Sequence, residues 1–261
     1  MVVIVEQGSG IATITMDDPV RRNALTSSMC HALCAALKRA DSDDSVSLIV
    51  IKGKGPSFCA GGDIKAMNTK SDFFAGDSFD IMESYRRTVQ QIPLTLVSMR
   101  KPTIAVVNGS AVGAGFDLAC FCDLRIATTQ AKFAESFGSL GLISGIGGAF
   151  ALSELIGLGY GVAADLALTG RMISGEEAYR LGIVNRLCEP DSLIETENAL
   201  TEQILSHSQE ANVKAKVLLR QARKSSLEDH LILAAALQGT LQTRPDHLTR
   251  VGRAVNRTRS G

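Results

Sequence analysis

The sequence lacks an excess of either charge, a long apolar run and any C-x-x-C cysteine pair. It has 27 basic and 27 acidic residues, so no net field draws the whole protein to nucleic acid or to an anionic membrane. No apolar stretch reaches the roughly 18 residues of a membrane span. The opening segment, MVVIVEQGSG, contains neither a basic leader nor a small-residue cleavage site. We therefore expect a cytoplasmic protein with no nucleic-acid or membrane partner.

The six cysteines lie mostly within apolar segments such as LACFCDLRIA. None of them belongs to a C-x-x-C pair, a spacing typical of zinc sites and redox motifs. A chain of 261 residues buries about three quarters of the surface that its unfolded state exposes, so its core needs no disulfide or metal. Buried, reduced thiols are the expected state, because free cysteine behaves as a small apolar residue.

Strand and helix patterns alternate along the first two thirds of the chain. They predict a hairpin at 2–6 and 11–16, helices at 27–40 and about 73–98, and strands at 46–51, 102–107 and 124–127. From about residue 173 the strand signals fade, and helices are predicted at 193–206, 213–224 and 231–241. Repeated strand, turn and helix indicate an α/β fold with helices packed outside sheets.

Two glycine-bearing segments, 57–65 (SFCAGGDIK) and 108–119 (NGSAVGAGFDLA), follow apolar strand patterns and lead into helix patterns. Glycine lets the backbone turn tightly and approach a ligand without an intervening Cβ atom. The N–H groups in a helix's first turn have no partner within the helix and bind negative charge. Two such segments that converge would form an oxyanion hole for an enolate or tetrahedral oxygen. Taken alone, either segment is also explained as a tight strand-to-helix turn.

A dinucleotide-binding fingerprint is a second interpretation of the later segment. Gly113 and Gly115 match the first two positions of G-x-G-x-x-G/A, and Glu135 lies 20 residues after Gly115. That fingerprint places its glycines directly after the strand, whereas residues 108–112 intervene here. Glu135 does not cleanly end a second parallel strand either. The context therefore disfavours this interpretation.

The order of motifs along nearly the whole chain resembles the enoyl-CoA hydratase/isomerase (crotonase) family. The matching segments are NAL at 23–25, AGGDI at 60–64, the run at 108–119, CDLRIA at 122–127, LTGR at 168–171 and LGIVN at 181–185. One fragment alone would be a weak signal. Several fragments in the family's order are a strong one.

The resemblance implies an α/β fold, a crotonase-like spiral of repeated ββα units with a mainly helical C-terminal region. Residues 1–195 are expected to form the spiral core, and residues 196–261 a helical region used in oligomerisation. Family members assemble as trimers and often as hexamers, so a homotrimer or homohexamer is expected. The implied substrate is an acyl-CoA thioester. No metal or organic cofactor is expected, because coenzyme A is part of the substrate.

The resemblance also implies roles for individual residues. The thioester oxygen would be held by the backbone N–H groups of Gly62 and Ala114, and many relatives have glycine at the second position. Arg21 or Arg22 matches a basic position near the CoA phosphates. The segment that meets the adenine and pantetheine of coenzyme A is matched by Ala60, Asp63, Ile64 and Lys65.

The acid–base positions depart from the family's hydratase pattern. Hydratases carry two glutamates, and the matching positions here hold Asp117 and Phe137. Paired carboxyl groups suit hydration, because one acts as base while the other acts as acid. Asp117 is one methylene shorter and either acts in the pocket or forms a salt bridge on its helix. Phe137 cannot transfer a proton and is expected to contact the substrate instead.

Glu135 is the remaining candidate for the missing acid. In a strand, Glu135 would share a face with Phe137, which lies two residues later. A local shift in register would then bring Glu135 into the site. A structural or surface role is the alternative.

These features favour an acyl-CoA lyase or isomerase that works through an enolate stabilised by two N–H groups. The alternative is a catalytically weak acyl-CoA-binding or scaffolding protein on the same fold. A nucleophilic Ser144, and with it a protease of the same superfold, is disfavoured. The reason is that the four histidines lie far from it along the chain, at His31, His207, His230 and His247.

Overall fold

The computed structural model describes residues 2–259, with side chains up to residue 256. The strands are β1 (Val3–Gly8), β2 (Ile11–Met16), β3 (Leu48–Gly53), β4 (Ser57–Cys59), β5 (Thr103–Val107), β6 (Ser110–Val112), β7 (Leu124–Thr128), β8 (Lys132–Ala134), β9 (Ile173–Ser174) and β10 (Arg186–Cys188). The helices are α1 (Ser27–Ser42), α2 (Ile64–Asn68), α3 (Ser78–Arg87), α4 (Gln91–Ser98), α5 (Ala114–Phe121), α6 (Gly148–Phe150), α7 (Tyr160–Thr169), α8 (Gly175–Arg180), α9 (Leu193–Leu205), α10 (Gln209–Gln221), α11 (Leu227–Gln242) and α12 (Pro245–Arg259). Short 3₁₀ helices lie at Pro19–Arg21, Asp72–Phe74, Ser136–Leu140 and Pro190–Ser192, and a π-helix at Ala151–Ile156.

Two sheets organise the chain. One has six strands in the order β1-β2-β3-β5-β7-β10, and the other has four in the order β4-β6-β8-β9. In the larger sheet β1 and β2 form an antiparallel hairpin, and the later neighbours are parallel. Each of three successive passes, β3–β4, β5–β6 and β7–β8, adds one strand to each sheet before a helical segment. The expected α/β spiral of ββα units is confirmed.

The central strands β3 and β5 of the larger sheet are buried on both faces. In β3, Ile49 and Ile51 pack in the core cluster that includes α1, whereas Leu48 and Val50 pack on the opposite face against Leu200 of α9. A parallel strand that is buried on both faces appears in the sequence as a continuous apolar run. This property explains why the central strands were predicted close to their observed positions.

The helix predicted at 27–40 is confirmed as α1. Thr26 caps its N-terminus, since the N–H of Met29 donates to Thr26 Oγ1 at 3.2 Å. The predicted burial of cysteine is confirmed for five of the six, and Cys188 is half-buried. Burial raises the pKa of Cys59 to about 12, so this thiol is held in its neutral form.

The prediction of a single helix at 73–98 is wrong. A 3₁₀ turn, α3 and α4 replace it. The chain turns at Gly76, which has a φ of +95°, and Asp77 then starts α3 with a capping box. Helical geometry breaks again at Thr88, whose φ and ψ are −117° and −92°. Local turn chemistry therefore overrides an apolar periodicity that continues through both breaks.

The smaller sheet was not predicted strand by strand. Its strands β4, β6 and β8 have three residues each and β9 has two, which is too short for an alternating pattern to emerge. From residue 173 the described chain has the short strands β9 and β10 and is otherwise mainly helical, which agrees with the fading strand signals.

Helices α9 to α12 follow the last strand. The predicted boundary between residues 195 and 196 falls inside α9, so the helical region starts at Leu193 instead. Lys216 of α10 joins this region to the core, since its Nζ lies 2.6 Å from a carboxylate oxygen of Asp123 and 2.6 Å from the carbonyl oxygen of Lys101. Within residues 2–259, no helix combines the length and the apolarity that crossing a bilayer requires.

Candidate active site

The two glycine-bearing loops touch each other through their backbones. Gly61 has a φ of +85°, and a Cβ atom added there would lie 2.5 Å from the carbonyl oxygen of Val112 and 3.3 Å from the amide nitrogen of Ala114. At Gly115, a Cβ atom would lie 2.1 Å from the carbonyl oxygen of Cys59 at the end of β4. The loops converge because these two positions have no side chain.

Two backbone N–H groups without protein acceptors lie at this junction. They belong to Gly62 and Ala114, which both line the same pocket, and neither donates to an acceptor within residues 2–259. Ala114 is the first residue of α5, so its N–H has no intrahelical partner and sits at the positive end of the helix dipole. Gly62 is held in place by the neighbouring segment, where the N–H of Leu25 donates to the carbonyl oxygen of Gly61 at 2.7 Å.

The turn into α5 depends on Gly113. Its φ of +52° and ψ of −125° are accessible to glycine and not to residues with a side chain. Its N–H donates to the carbonyl oxygen of Ala134 at 2.7 Å, which ties the second loop to the end of β8. The orientation of the Ala114 N–H is thus fixed by the smaller sheet.

An open, apolar pocket of about 660 Å³, counting its mouth, lies against the two loops. Phe73, Phe74 and Tyr85 form one aromatic wall, with the ring centroids of Phe73 and Tyr85 5.5 Å apart in an edge-to-face arrangement. Phe137 lines the pocket as expected. Apart from backbone groups, only Ser136 and Tyr85 bring polar atoms to the lining, so the cavity suits an apolar acyl group.

The candidate CoA-binding residues lie around the first loop. The N–H of Ala60 donates to the carbonyl oxygen of Arg22 at 3.0 Å, which places both arginines beside this loop. Arg21 is exposed and lies 3.8 Å from a carboxylate oxygen of Asp18. Ala60 lines the pocket.

The next three candidates form the start of α2. The carboxylate of Asp63 caps this helix by accepting from the N–H groups of Lys65 and Ala66, so its role in the structure is to shape the loop. Ile64 lines the pocket although 61% of its surface is exposed. Lys65 is exposed.

Asp117 and Glu135 lie side by side in the interior. Asp117 is 0% exposed and Glu135 2%. The hydroxyl of Ser144 donates to Asp117 Oδ2 at 2.6 Å and accepts from the N–H of Gly148 at 2.7 Å. The second oxygen of Asp117 and Oε1 of Glu135 both lie against the Cα atom of Gly148, where an added Cβ atom would be 2.1 Å and 2.8 Å from them.

Both carboxyl groups have a raised pKa. Burial is the main cause for each, because it removes the water that stabilises the charged form. Hydrogen bonds from Glu135 and Ser144 oppose the rise in the pKa of Asp117. The negative charge of Asp117 raises the pKa of Glu135 further, so Glu135 is the group that keeps a proton more strongly.

The expectation that Glu135 and Phe137 share a strand face is wrong. The residue follows β8, and Phe137 lies in the 3₁₀ helix Ser136–Leu140, so the two side chains do not share a strand face. Phe137 lines the pocket while Glu135 lies behind the lining next to Asp117. The surface role considered for Glu135 and the salt bridge considered for Asp117 are both wrong, since both side chains are buried and Asp117 bonds to Ser144.

Three residues of the site were not identified from the sequence. The sequence predicts neither the bond from Ser144 to Asp117, nor the close approach of the carboxyl pair to Gly148, nor the place of Tyr85 in the pocket wall. The run Ser144-Gly-Ile-Gly-Gly148 was a usable signal, because a hydroxyl before successive glycines commonly accepts backbone N–H groups as Ser144 does here. No sequence pattern marks Tyr85 as a pocket residue, because its position depends on the break between α3 and α4.

The structure combines a spiral of ββα units with two unpartnered backbone N–H groups beside an apolar pocket, and comparison with known proteins gives the family of the chain. The family model for enoyl-CoA hydratase/isomerase matches residues 6–250. A protein of Rhizobium meliloti (strain 1021) named "Probable enoyl-CoA hydratase" is 37% identical over 88% of this chain and 85% of its own. The "Short-chain-enoyl-CoA hydratase" of Clostridium acetobutylicum is 33% identical over the same shares.

A solved structure gives the same result. The crystal structure of an enoyl-CoA hydratase from Mycobacterium smegmatis is similar with a TM-score of 0.91 and 28% identity, over 98% of this chain and 97% of the other. The chain belongs to the enoyl-CoA hydratase/isomerase (crotonase) family, whose members act on acyl-CoA, as the resemblance implied.

Substitution of Gly148 by alanine tests the packing around the carboxyl pair. The new methyl group would overlap Asp117 Oδ1, and overpacking of this kind typically costs about 1–3 kcal/mol. We expect the free energy of unfolding in urea to fall by that amount. The matched control is Gly161→Ala in α7, where nothing lies within 4 Å and the helix should be unchanged or slightly more stable. Equal stability of the Gly148 variant and the wild type would contradict the packing described.

Proposed function

We propose that this protein is an acyl-CoA lyase or isomerase that stabilises a thioester enolate with the backbone N–H groups of Gly62 and Ala114. The observation that supports this proposal most strongly is the pair of unpartnered N–H groups at the wall of an apolar pocket. Donors fixed in advance at the place where charge develops need no rearrangement during the reaction, and each typically contributes about 2.7–4 kcal/mol.

In this mechanism the acyl group occupies the apolar pocket and the thioester oxygen accepts from both N–H groups. Negative charge that moves from the α-carbon to this oxygen is stabilised by the N-terminus of α5 as well. The CoA phosphates would meet Arg21 or Arg22, which lie beside the first loop at the surface. The adenine and pantetheine would follow Ala60, Asp63, Ile64 and Lys65.

Proton transfer in this proposal belongs to Asp117. It lies three residues after Ala114 on α5, and residues at this spacing lie on the same side of a helix. The carboxyl group is therefore close to the oxyanion donor in the fold although it does not line the pocket. The proposed chemistry uses backbone donors and carboxyl groups, with coenzyme A as part of the substrate and no metal or organic cofactor.

We also propose that the chain assembles as a homotrimer or homohexamer through its C-terminal helices. Several large apolar side chains of these helices are exposed in the single chain, among them Leu227, Leu231, Ile232, Leu248 and Val251. Burial of such a surface between subunits is the usual explanation for an apolar patch. Sedimentation at micromolar concentration should show trimers or larger species, and a monomer would contradict the proposal.

An acyl-CoA-binding or scaffolding protein is the second candidate. The observation that favours it is the absence of a carboxylate from the pocket lining. Calorimetry with acyl-CoA, run beside turnover assays over a panel of thioesters, separates the two. Binding together with turnover supports the enzyme, whereas binding without turnover of any thioester supports the scaffold.

Replacement of Gly62 by proline tests the oxyanion proposal, because it removes the N–H donor. We expect kcat/KM to fall by about 10²–10³-fold on the best thioester. Gly62→Ala is the matched control, since alanine keeps the N–H. Its Cβ atom would lie 2.5 Å from the flexible end of Met67, which can shift, and 3.5 Å from Phe74 Cζ, an ordinary contact. Activity of a folded Gly62→Pro protein within a few-fold of the alanine variant would exclude Gly62 as a donor.

Hydration of crotonyl-CoA tests the acid–base residues. Each positioned acid or base contributes roughly 10²–10⁴-fold, so a chain with Phe137 in place of a pocket carboxyl should hydrate crotonyl-CoA poorly. Phe137→Glu should raise this rate, and Asp117→Asn should abolish the remaining proton transfer. The assay follows the loss of the enone absorbance. A wild-type rate typical of a dedicated hydratase, unchanged in Glu135→Gln, would show that these roles are wrong.

A further inference from the structure

Asp117 and Glu135 each have one buried carboxyl oxygen without a hydrogen-bond donor in the described part of the chain. Asp117 Oδ1 and Glu135 Oε1 are inaccessible to solvent and have no hydrogen-bond partner within the described chain. Both atoms lie against Gly148, so the two carboxyl groups lie side by side. Two ionised carboxylates cannot hydrogen-bond to each other, because neither has a proton to donate.

The surroundings supply no positive charge that would let both groups ionise. The titratable neighbour on α5 is Cys120, a buried thiol whose pKa is raised by burial and then by both carboxyl charges. Arg125 on β7 opposes the rise in the pKa of Cys120, but its guanidinium donates to the carbonyl oxygens of Cys122 and Ile183 and not to either carboxyl group. The loop that covers the pair contributes only the hydroxyl of Ser144. Two like charges at contact distance in this environment would repel each other strongly.

We propose that Asp117 and Glu135 share a single proton, and that Glu135 is the positioning residue that fixes Asp117 and keeps the pair at one negative charge. One proton between the two oxygens satisfies both atoms that otherwise lack a partner. Glu135 is the principal owner of this proton, because Asp117 already accepts from Ser144 and lies in the first turn of α5.

A shared proton makes one carboxyl group of the pair an acid and the other a base, although Phe137 occupies the position of the family's second glutamate. Glu135 is not at the position where the family's hydratases have their second glutamate, yet it supplies a carboxyl group next to the first. This part of the inference rests on the proposed function, since only an enzyme would use the pair for proton transfer. The number of protons on the pair does not depend on the proposed function, because it is measured without substrate.

The experiment compares the wild type with Glu135→Gln, which keeps the shape and still donates a hydrogen bond to Asp117. Burial and the charge of Asp117 raise the pKa of Glu135 in the folded protein above its ordinary value of 4.5. The stability that the shared proton provides is therefore complete below pH 4.5 and is lost as the pH rises toward the folded-state pKa. Glutamine does not titrate, so the variant lacks this loss.

Two measurements follow from this difference. Above pH 5, the unfolding constant of the wild type should rise by up to about tenfold per pH unit relative to Glu135→Gln, as expected for one proton. Infrared difference spectra at neutral pH should show the carbonyl stretch of a protonated carboxylic acid in the wild type and not in the variant. Glu154→Gln, an exposed carboxyl on the adjacent π-helix, is the control and should leave both results unchanged.

A reciprocal variant keeps the test decisive if Glu135→Gln does not fold. Asp117→Asn would donate to an ionised Glu135, so the infrared band should disappear there too. The proposal is overturned if the band is absent from the wild type, or if the wild type and the glutamine variant have the same pH dependence of stability. Failure of the proposed function would appear differently, as a Gly62→Pro variant with full activity and an intact infrared band.

Discussion

Close backbone contact between the two glycine-bearing loops leaves no space for a Cβ atom at Gly61 or Gly115. The contact requires β4 and β6 to be neighbours in the smaller sheet, and that sheet requires the chain to return to it on every pass of the spiral. The larger sheet and its two apolar faces hold these passes in register. The unpartnered N–H groups of Gly62 and Ala114 are thus a consequence of the whole architecture.

The sequence predicted those features that depend on local pattern. The central strand β3 begins with a continuous apolar run at 48–51, and the glycines at 61 and 113 match positions that have a positive φ. The segment at 73–98 was misread because an apolar periodicity runs through Gly76 and Thr88, where the backbone departs from the helix. The three-residue strands could be anticipated only through the family resemblance, since they are too short to carry a pattern.

The position of Glu135 was beyond sequence reasoning for a different reason. Its direction is set by the end of β8 and the 3₁₀ helix that follows, and a shift of one residue there reverses which side chain faces inward. In the structure Phe137 lines the pocket, whereas Glu135 is buried behind the lining beside Asp117, which bonds to Ser144. An apolar pocket with its carboxyl groups behind the lining distinguishes this site from one that carries two accessible glutamates.

A crystal structure with a bound, non-hydrolysable acyl-CoA analogue tests the central claim most directly. The measured quantities are the distances from the thioester-equivalent oxygen to the amide nitrogens of Gly62 and Ala114. The account predicts that both are about 2.7–3.1 Å, with the acyl group against Phe137 and the aromatic wall. An oxygen that contacts neither nitrogen, or an acyl group bound outside this pocket, would contradict it.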